Sequence, residues 1–323
     1  MATGDLATAI RDTLAAEMRR NQDVVVLGDA VAGLGGVFHA TEDLLDEFGD
    51  QRVIDMPVDE GGVVGAALGM ALYGLRPVAE IQLADLSYAG ADQIVSEVAK
   101  LRYRSGGQYR CPLVLRVPYG GGLGGDMYQS QSPEALFTHT PGLVVAAPGN
   151  AADAAGMLRS ALRGPDPVVL LEPRALYGIE GELPGLDHVV PFGQAERARE
   201  GADVTVVAYG AMVPPALRAA RQAEQHGIDV EVIDLRTLMP FDIALLLDSV
   251  ARTGRAVLVQ EAPRSCGFCA ELAAVLAEKA LFHLQAPVLR VSGFDTPPGR
   301  AAQHTYIPDN DRVLGAIRAV AEF

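Results

Sequence analysis

Residues 57–82 read PVDEGGVVGAALGMALYGLRPVAEIQ, and the fold turns on this stretch. Glu60 opens a helix of small and apolar residues, and Val78–Gln82 follows as a short buried strand. The same alternation runs outward on both sides. Asp23–Leu27 (DVVVL) reads as a strand ahead of it. Beyond it, a helical stretch from about Ala89 to Tyr103 leads to buried strands at Pro112–Val117, Leu143–Ala147 and Pro167–Leu171. Between the last two, Ala151–Arg163 reads as a helix opened by Asn150. Strands and helices in this rhythm imply a mostly parallel, doubly wound α/β sheet.

A looser stretch from about Glu172 to Gly201 carries Pro173, Pro184 and Pro191. The rhythm then restarts. Strands are expected at Asp203–Ala208, Asp229–Ile233, Ala256–Val259 and Val288–Val291, with helices at about Val213–Gln225, Ile243–Thr253 and Cys269–Leu284. Two doubly wound α/β domains are therefore expected, residues 1–185 and 201–323, with a linker at 186–200.

The bulk numbers exclude several classes. The 323 residues are 49% apolar and 21% charged, enough to bury two cores. A net charge of -15 argues against nucleic acid and against an anionic membrane surface, since both need Lys/Arg faces. The longest apolar run, Gly61–Leu75, is too short and too glycine-rich to span a bilayer. The opening MATGDLATAIRDTLAAEMRR mixes acids with bases and has no apolar segment, so no secretory signal is expected. Cys111, Cys266 and Cys269 form no disulfide framework, which fits a reducing, cytoplasmic setting. The pair Cys266-Gly-Phe-Cys269 lacks a second ligand pair and reads as two small residues at a helix start.

Three glycine-rich stretches compete for attention. Gly120-Gly-Gly-Leu-Gly-Gly125 has neither the Lys of a phosphate-binding loop nor the helix of a dinucleotide fingerprint. It reads as a loop that lies close to a ligand, against the plainer reading of a surface turn. Gly33–Gly36 sits between the first strand and a helix. Gly61, Gly65 and Gly69, spaced by four, leave one helix face open to close packing, within the domain or across a subunit interface.

Glu60 has a bland reading and a sharp one. Acids are common in first helical turns, where the dipole makes them worth a few tenths of a kcal/mol. A carboxylate at a strand-to-helix junction of a parallel sheet also sits where ligand crevices form. None of the six histidines is paired at metal-ligand spacing. His139, in Phe-Thr-His-Thr-Pro, follows the glycine loop and is the histidine nearest a site. Ser130 and Ser132 lack a nucleophile elbow.

With these pieces in order, the chain resembles the beta subunits of thiamine-diphosphate-dependent 2-oxoacid dehydrogenases, the decarboxylating first components of pyruvate, branched-chain 2-oxoacid and acetoin complexes. The similarity runs nearly end to end, through VLGDAVAGLGGVF, DMPVDEGGVVGAALGMALYGLRPVAEIQ, QSQSPEALFTHTPGL, DPVVLLEP, EVIDLRTLMPFD and VLVQEAPR. It implies a transketolase-like pyrimidine-binding domain followed by a transketolase C-terminal-type domain. It also implies thiamine diphosphate shared with an alpha subunit, in an α2β2 assembly that serves a lipoyl-bearing acyltransferase core. The Gly-Asp-Gly motif that holds diphosphate and Mg2+ in such families is broken here at Gly28-Asp29-Ala30, so the alpha chain is expected to hold the metal.

By the same resemblance, Glu60 hydrogen-bonds the pyrimidine ring and sets up removal of the cofactor's acidic proton, a role that requires partial desolvation. Asp29 stands where the family usually has Glu, on a proton path between paired sites. Leu86 replaces an aromatic ring that stacks on the pyrimidine, beside Tyr88. Gln129 replaces the His of a His-Ser-Gln motif that serves proton transfer or the lipoyl acceptor, and Gln carries no proton at neutral pH. Tyr88, Tyr128 and His139 are the groups that could compensate. A monovalent cation, K+, is implied at the backbone of Leu113, Ala161, Leu162, Gly164 and Asp166. Two other readings stay open: a thiamine-diphosphate enzyme of another class, such as a split transketolase-type or acyloin-forming carboligase, and a non-catalytic partner chain.

Overall fold

The computed structural model describes residues 3–123, 128–297 and 303–323. Among these, the first sheet has seven strands: β1 (Val24–Gly28), β2 (Val53–Asp55), β3 (Arg76–Glu80), β4 (Val114–Tyr119), β5 (Val144–Ala146), β6 (Val168–Pro173) and, arriving from the second half, β10 (Thr237–Met239). Their order is β10-β5-β6-β4-β3-β1-β2, parallel except for β10. β1, β4 and β6 are buried along their whole length, as strands covered on both faces must be.

One face is covered by α1 (Leu6–Arg20) and α4 (Ala151–Arg163). Each starts on a side-chain cap: Asp5 accepts from the Thr8 N–H, and Asn150 accepts from the Asp153 N–H. The other face is covered by α2 (Glu60–Leu72) and the stretch 93–104. That stretch, expected as one long helix, is broken. Gln93–Val98 winds as a π-helix, with the Ala99 N–H bonded to Ile94 O five residues back, and Leu101–Arg104 is a single α turn.

The second sheet has β7 (Glu196–Arg199), β8 (Val204–Ala208), β9 (Val230–Asp234), β11 (Ala256–Pro263) and β12 (Leu289–Gly293), ordered β12-β11-β8-β9-β7. Only β7 is antiparallel, and it lies within the stretch 186–200 expected as linker. Helices α5 (Val213–Glu224), α6 (Ile243–Thr253), α7 (Phe268–Lys279) and α8 (Asn310–Ala321) flank it. α3 (Glu134–Thr138) belongs to the first domain.

The two halves are fused rather than tethered. β10 leaves the second sheet to pair with β5, and Leu235, Leu238, Leu246, Phe268 and Leu272 share a core with β3 and β4. Across β3, β4 and β6 runs a buried ion-pair network. Arg116 donates from Nη1 to Glu80 at 2.5 Å and from Nε to Glu172 at 2.7 Å, all three side chains being fully buried. Burial works against the guanidinium charge, but Glu172 and Glu80 raise the Arg116 pKa. No helix of the described residues is long and apolar enough to cross a membrane.

Candidate active site

The carboxyl ends of β1, β2, β3 and β4 share one edge of the first sheet, and the loops leaving them carry most of the expected site. Asp29 follows β1, Glu60 follows β2, Leu86 and Tyr88 follow β3, and Gln129 follows β4. β1 connects to β2 on one side, while the chain returns to β3 on the other, so a topological switch point lies between β1 and β3. Asp29 and Gln82 meet across it, the Gln82 amide donating to Asp29 Oδ2 at 2.5 Å.

Glu60 is the first residue of α2, after an extended Asp59. It is only 8% exposed. Among the described residues its carboxyl has no hydrogen-bond partner. A mostly buried carboxyl at a helix start that no group among the described residues engages is free to accept a ligand's hydrogen bond. Its position is set by backbone contact. A Cβ added to Gly90 would lie 3.1 Å from Glu60 O and 3.3 Å from Glu60 Cβ, so the turn after β3 packs directly on the head of α2. The open face of α2 meets the same segment: Gly61 looks toward Ala89 O and Gly65 toward the Gln93 side chain, while Gly69 has nothing within 4 Å.

The 3-10 turn Ala84–Tyr88 is closed by the Ser87 hydroxyl donating to Ala84 O at 2.5 Å. Leu86 is half-buried and packs against the core shared by the two domains. Tyr88 is 45% exposed at the rim, and burial of its hydroxyl, then Asp85 and Glu134, raise its pKa. Gln129 is exposed, and its backbone oxygen accepts from Arg174 Nη1. Of the glycine loop, Gly124 and Gly125 lie outside the described residues.

His139 is not part of this group. It caps the C-terminal end of α3 and lines a separate cleft of about 1170 Å³ with Phe241, Phe268 and Cys266. The five residues expected around a monovalent cation lie between the start of β4 and the end of α4. Arg76 Nη1 donates to Leu162 O at 2.8 Å and to Gly164 O at 2.9 Å, and Asp166 pairs with Arg102. Positive charge at two of those carbonyls is thus supplied by a guanidinium. Among the described residues, no group of three or more His, Cys, Asp or Glu could hold a metal ion. All three cysteines are free; burial pushes Cys111 up to about 12 and Cys269 far above the usual thiol range, so neither is a thiolate near neutrality.

Four residues that the motifs did not single out support the site: Asp85, Glu134, Arg174 and Glu261. Glu134 and Glu261 are buried, and burial pushes each up to about 7. Tyr209 donates to Glu134 at 2.9 Å, and the Gly121 N–H donates to Glu261 at 2.5 Å, so each acid ties the first domain to the second. The sequence signals were slight: a charged residue at or just past an apolar strand for Arg174 and Glu261, an acid in the turn after β3 for Asp85, and an acid just past the loop for Glu134.

The architecture defines a two-module protein of transketolase type. The family description "Transketolase, pyrimidine binding domain" matches residues 3–180, and "Transketolase, C-terminal domain" matches residues 193–313. The chain is 43% identical over 319 residues to the 2-oxoisovalerate dehydrogenase subunit beta of Bacillus subtilis, covering 98% of both chains. It is 44% identical over 313 residues to the pyruvate dehydrogenase E1 component subunit beta of Leifsonia xyli, covering 97% of this chain and 92% of that one. A solved structure, "Split gene transketolase, inactive beta4 tetramer", matches with a TM-score of 0.82 at 24% identity over 98% of both chains, which shows the shared fold. The chain belongs to the beta-subunit family of the thiamine-diphosphate-dependent 2-oxoacid dehydrogenases. Membership implies dependence on thiamine diphosphate and Mg2+, and on an alpha subunit and a lipoyl-bearing core.

Proposed function

We propose that this chain forms an α2β2 assembly in the cytoplasm, decarboxylates a 2-oxoacid or cleaves acetoin, and passes the acyl group to a lipoyl-bearing partner. Glu60 is the residue that activates the cofactor. One observation carries this reading: a shielded, unpartnered carboxyl at the head of α2, on the sheet edge that also carries Asp29, Leu86, Tyr88 and Gln129. The chemistry of the bound thiamine diphosphate is to stabilise the electron pair left when CO2 departs.

This chain's own residues do the rest. Glu60 would hold or give up a proton at the pyrimidine ring nitrogen. Gly90, just past the Ala84–Tyr88 turn, packs on the Glu60 backbone. Leu86 offers the ring an apolar face, without the roughly 0.5–1.5 kcal/mol that an aromatic pair adds. Asp29, held by Gln82, keeps an acid on the same edge. Gln129 can donate and accept hydrogen bonds to the acceptor but cannot carry its proton. The diphosphate and Mg2+ are assigned to the alpha chain.

The choice among pyruvate, a branched-chain 2-oxoacid and acetoin lies partly in the alpha chain's half of the pocket, where a methylene is worth about 1–3 kcal/mol. The deciding experiment co-expresses the pair with thiamine diphosphate and Mg2+ and follows CO2 from several 2-oxoacids and acetaldehyde from acetoin. Release of CO2 with acylation of a lipoyl domain supports the reading. Ketol transfer, or carboligation without lipoyl acylation, would replace it with another thiamine-diphosphate reaction.

A further inference from the structure

We propose that Glu261 and Arg174 are positioning residues that clamp, from two sides, the loop presenting Gln129. The inference rests on the reading above, in which Gln129 faces the acyl acceptor. The loop leaves β4 at Tyr119 and ends at α3, and it is glycine-rich at its start, so ordering it is entropically costly. Its base is closed by the Gly120 N–H donating to Gln131 O at 3.0 Å. Buried charged groups from both domains hold it further.

Glu261, at the end of β11 in the second domain, accepts from the Gly121 N–H at 2.5 Å and is 3% exposed. The fit leaves no room: a Cβ on Gly120 would stand 2.7 Å from the Glu261 carboxylate, and Gly120 has φ +78. Arg174, just past β6 in the first domain, donates from Nη1 to the Gln129 backbone oxygen, and reaches Gly120 O at 3.5 Å. Asp85 and Glu261 are the acids that support the buried Arg174 charge. Asp85 also accepts from the Gln131 N–H at 3.4 Å, which couples the loop to the turn carrying Leu86 and Tyr88.

The clamp therefore spans both domains and fixes Gln129 by its backbone, leaving the side chain outward. A neutral isostere tests it. In Glu261→Leu the Gly121 N–H loses its acceptor, while Glu261→Gln retains one in the same volume. The test uses the assembled complex with its alpha chain and two independent readouts. One is amide hydrogen exchange at Gly121 and across residues 119–131. The other is the ratio of lipoyl-domain acylation to dye-coupled decarboxylation.

Glu261→Leu is expected to speed exchange at Gly121 at least tenfold and to lower the ratio at least tenfold, with Glu261→Gln restoring most of both. Arg174→Met, which frees Gln129 O, should lower the same ratio, and it serves as the second variant if Glu261→Leu does not assemble. Unchanged exchange at Gly121, or a parallel fall of both reactions, would overturn the clamp. If the wild-type assembly acylated no lipoyl domain, the functional reading would fall, and exchange at Gly121 would still decide the clamp.

Discussion

Gly90 lies so close to Glu60 that a Cβ on the glycine would stand 3.1 Å from the glutamate's backbone oxygen. The turn after β3 and the start of α2 are therefore in close backbone contact. The side chain that the functional reading depends on is held by a backbone contact 30 positions away in the chain (90 against 60).

Gly90→Ala should push the first turn of α2 outward by a few tenths of an ångström. A misplacement of about 1 Å can cost roughly 100-fold in rate, so about a tenfold fall in kcat is expected. Steady-state kinetics of the assembled complex, with circular dichroism to show that the fold is kept, checks this. Wild-type kcat would mean that the contact yields elsewhere.

The Glu80–Arg116–Glu172 network makes a different kind of prediction. Arg116→Met leaves two carboxylates buried without their shared cation, which should cost about 3–5 kcal/mol. Urea denaturation should show the midpoint falling by that equivalent. Replacing all three by apolar residues of similar volume should recover most of the loss, because the desolvation cost then vanishes with the charges.

Three buried acids set a pH dependence. Burial pushes Glu134 and Glu261 up to about 7, and burial with Asp153 nearby pushes Asp234 up to about 8. Unfolded carboxyls titrate near about 4. Between those values the folded chain binds more protons than the unfolded one. Their contribution is therefore fully present below about pH 4 and is lost as pH rises through about 7 to 8. Denaturation midpoints at several pH values should show a flatter dependence in Glu134→Gln and Asp234→Asn. A dependence as steep as in the unaltered chain would contradict the assignment.

Arg76 donates to the carbonyls of Leu162 and Gly164 and thereby satisfies the end of α4. Arg76→Met removes both hydrogen bonds from these carbonyls, at a cost of about 1–3 kcal/mol for a charged donor. Thermal unfolding should show the loss. If K+ binds these carbonyls, it should restore more stability to Arg76→Met than to the unaltered chain, because the competing guanidinium is gone.

Much of the fold was legible because its signals are local. Runs such as DVVVL at 23–27 and VVLLEP at 168–173 are apolar enough to declare buried strands. What escaped was set by tertiary contact. β10, Thr237–Met239, is too short to betray that it pairs with β5 in the other domain. The break in 93–104 follows from a π-helical turn that periodicity alone does not show. For the site, Glu60 carried a local signal at a helix start, and the resemblance supplied Asp29, Leu86 and Gln129. Glu134, Arg174 and Glu261 did not stand out, because a buried charge looks in sequence like any surface one until its partners are known. His139 sat in the right stretch of sequence but caps the far end of α3, five residues past Glu134.

The most direct test of the account removes the Glu60 carboxyl's acidity while keeping its shape. In Glu60→Gln, assembled with the alpha chain and loaded with thiamine diphosphate and Mg2+, the exchange rate of the cofactor's acidic proton would be measured by quenched-flow NMR beside CO2 release. An intact assembly is expected in which both rates fall by at least about 100-fold, the usual scale for loss of a general acid–base group. Exchange and CO2 release close to those of the unaltered complex would remove Glu60 from the chemistry and leave it an ordinary helix-start acid.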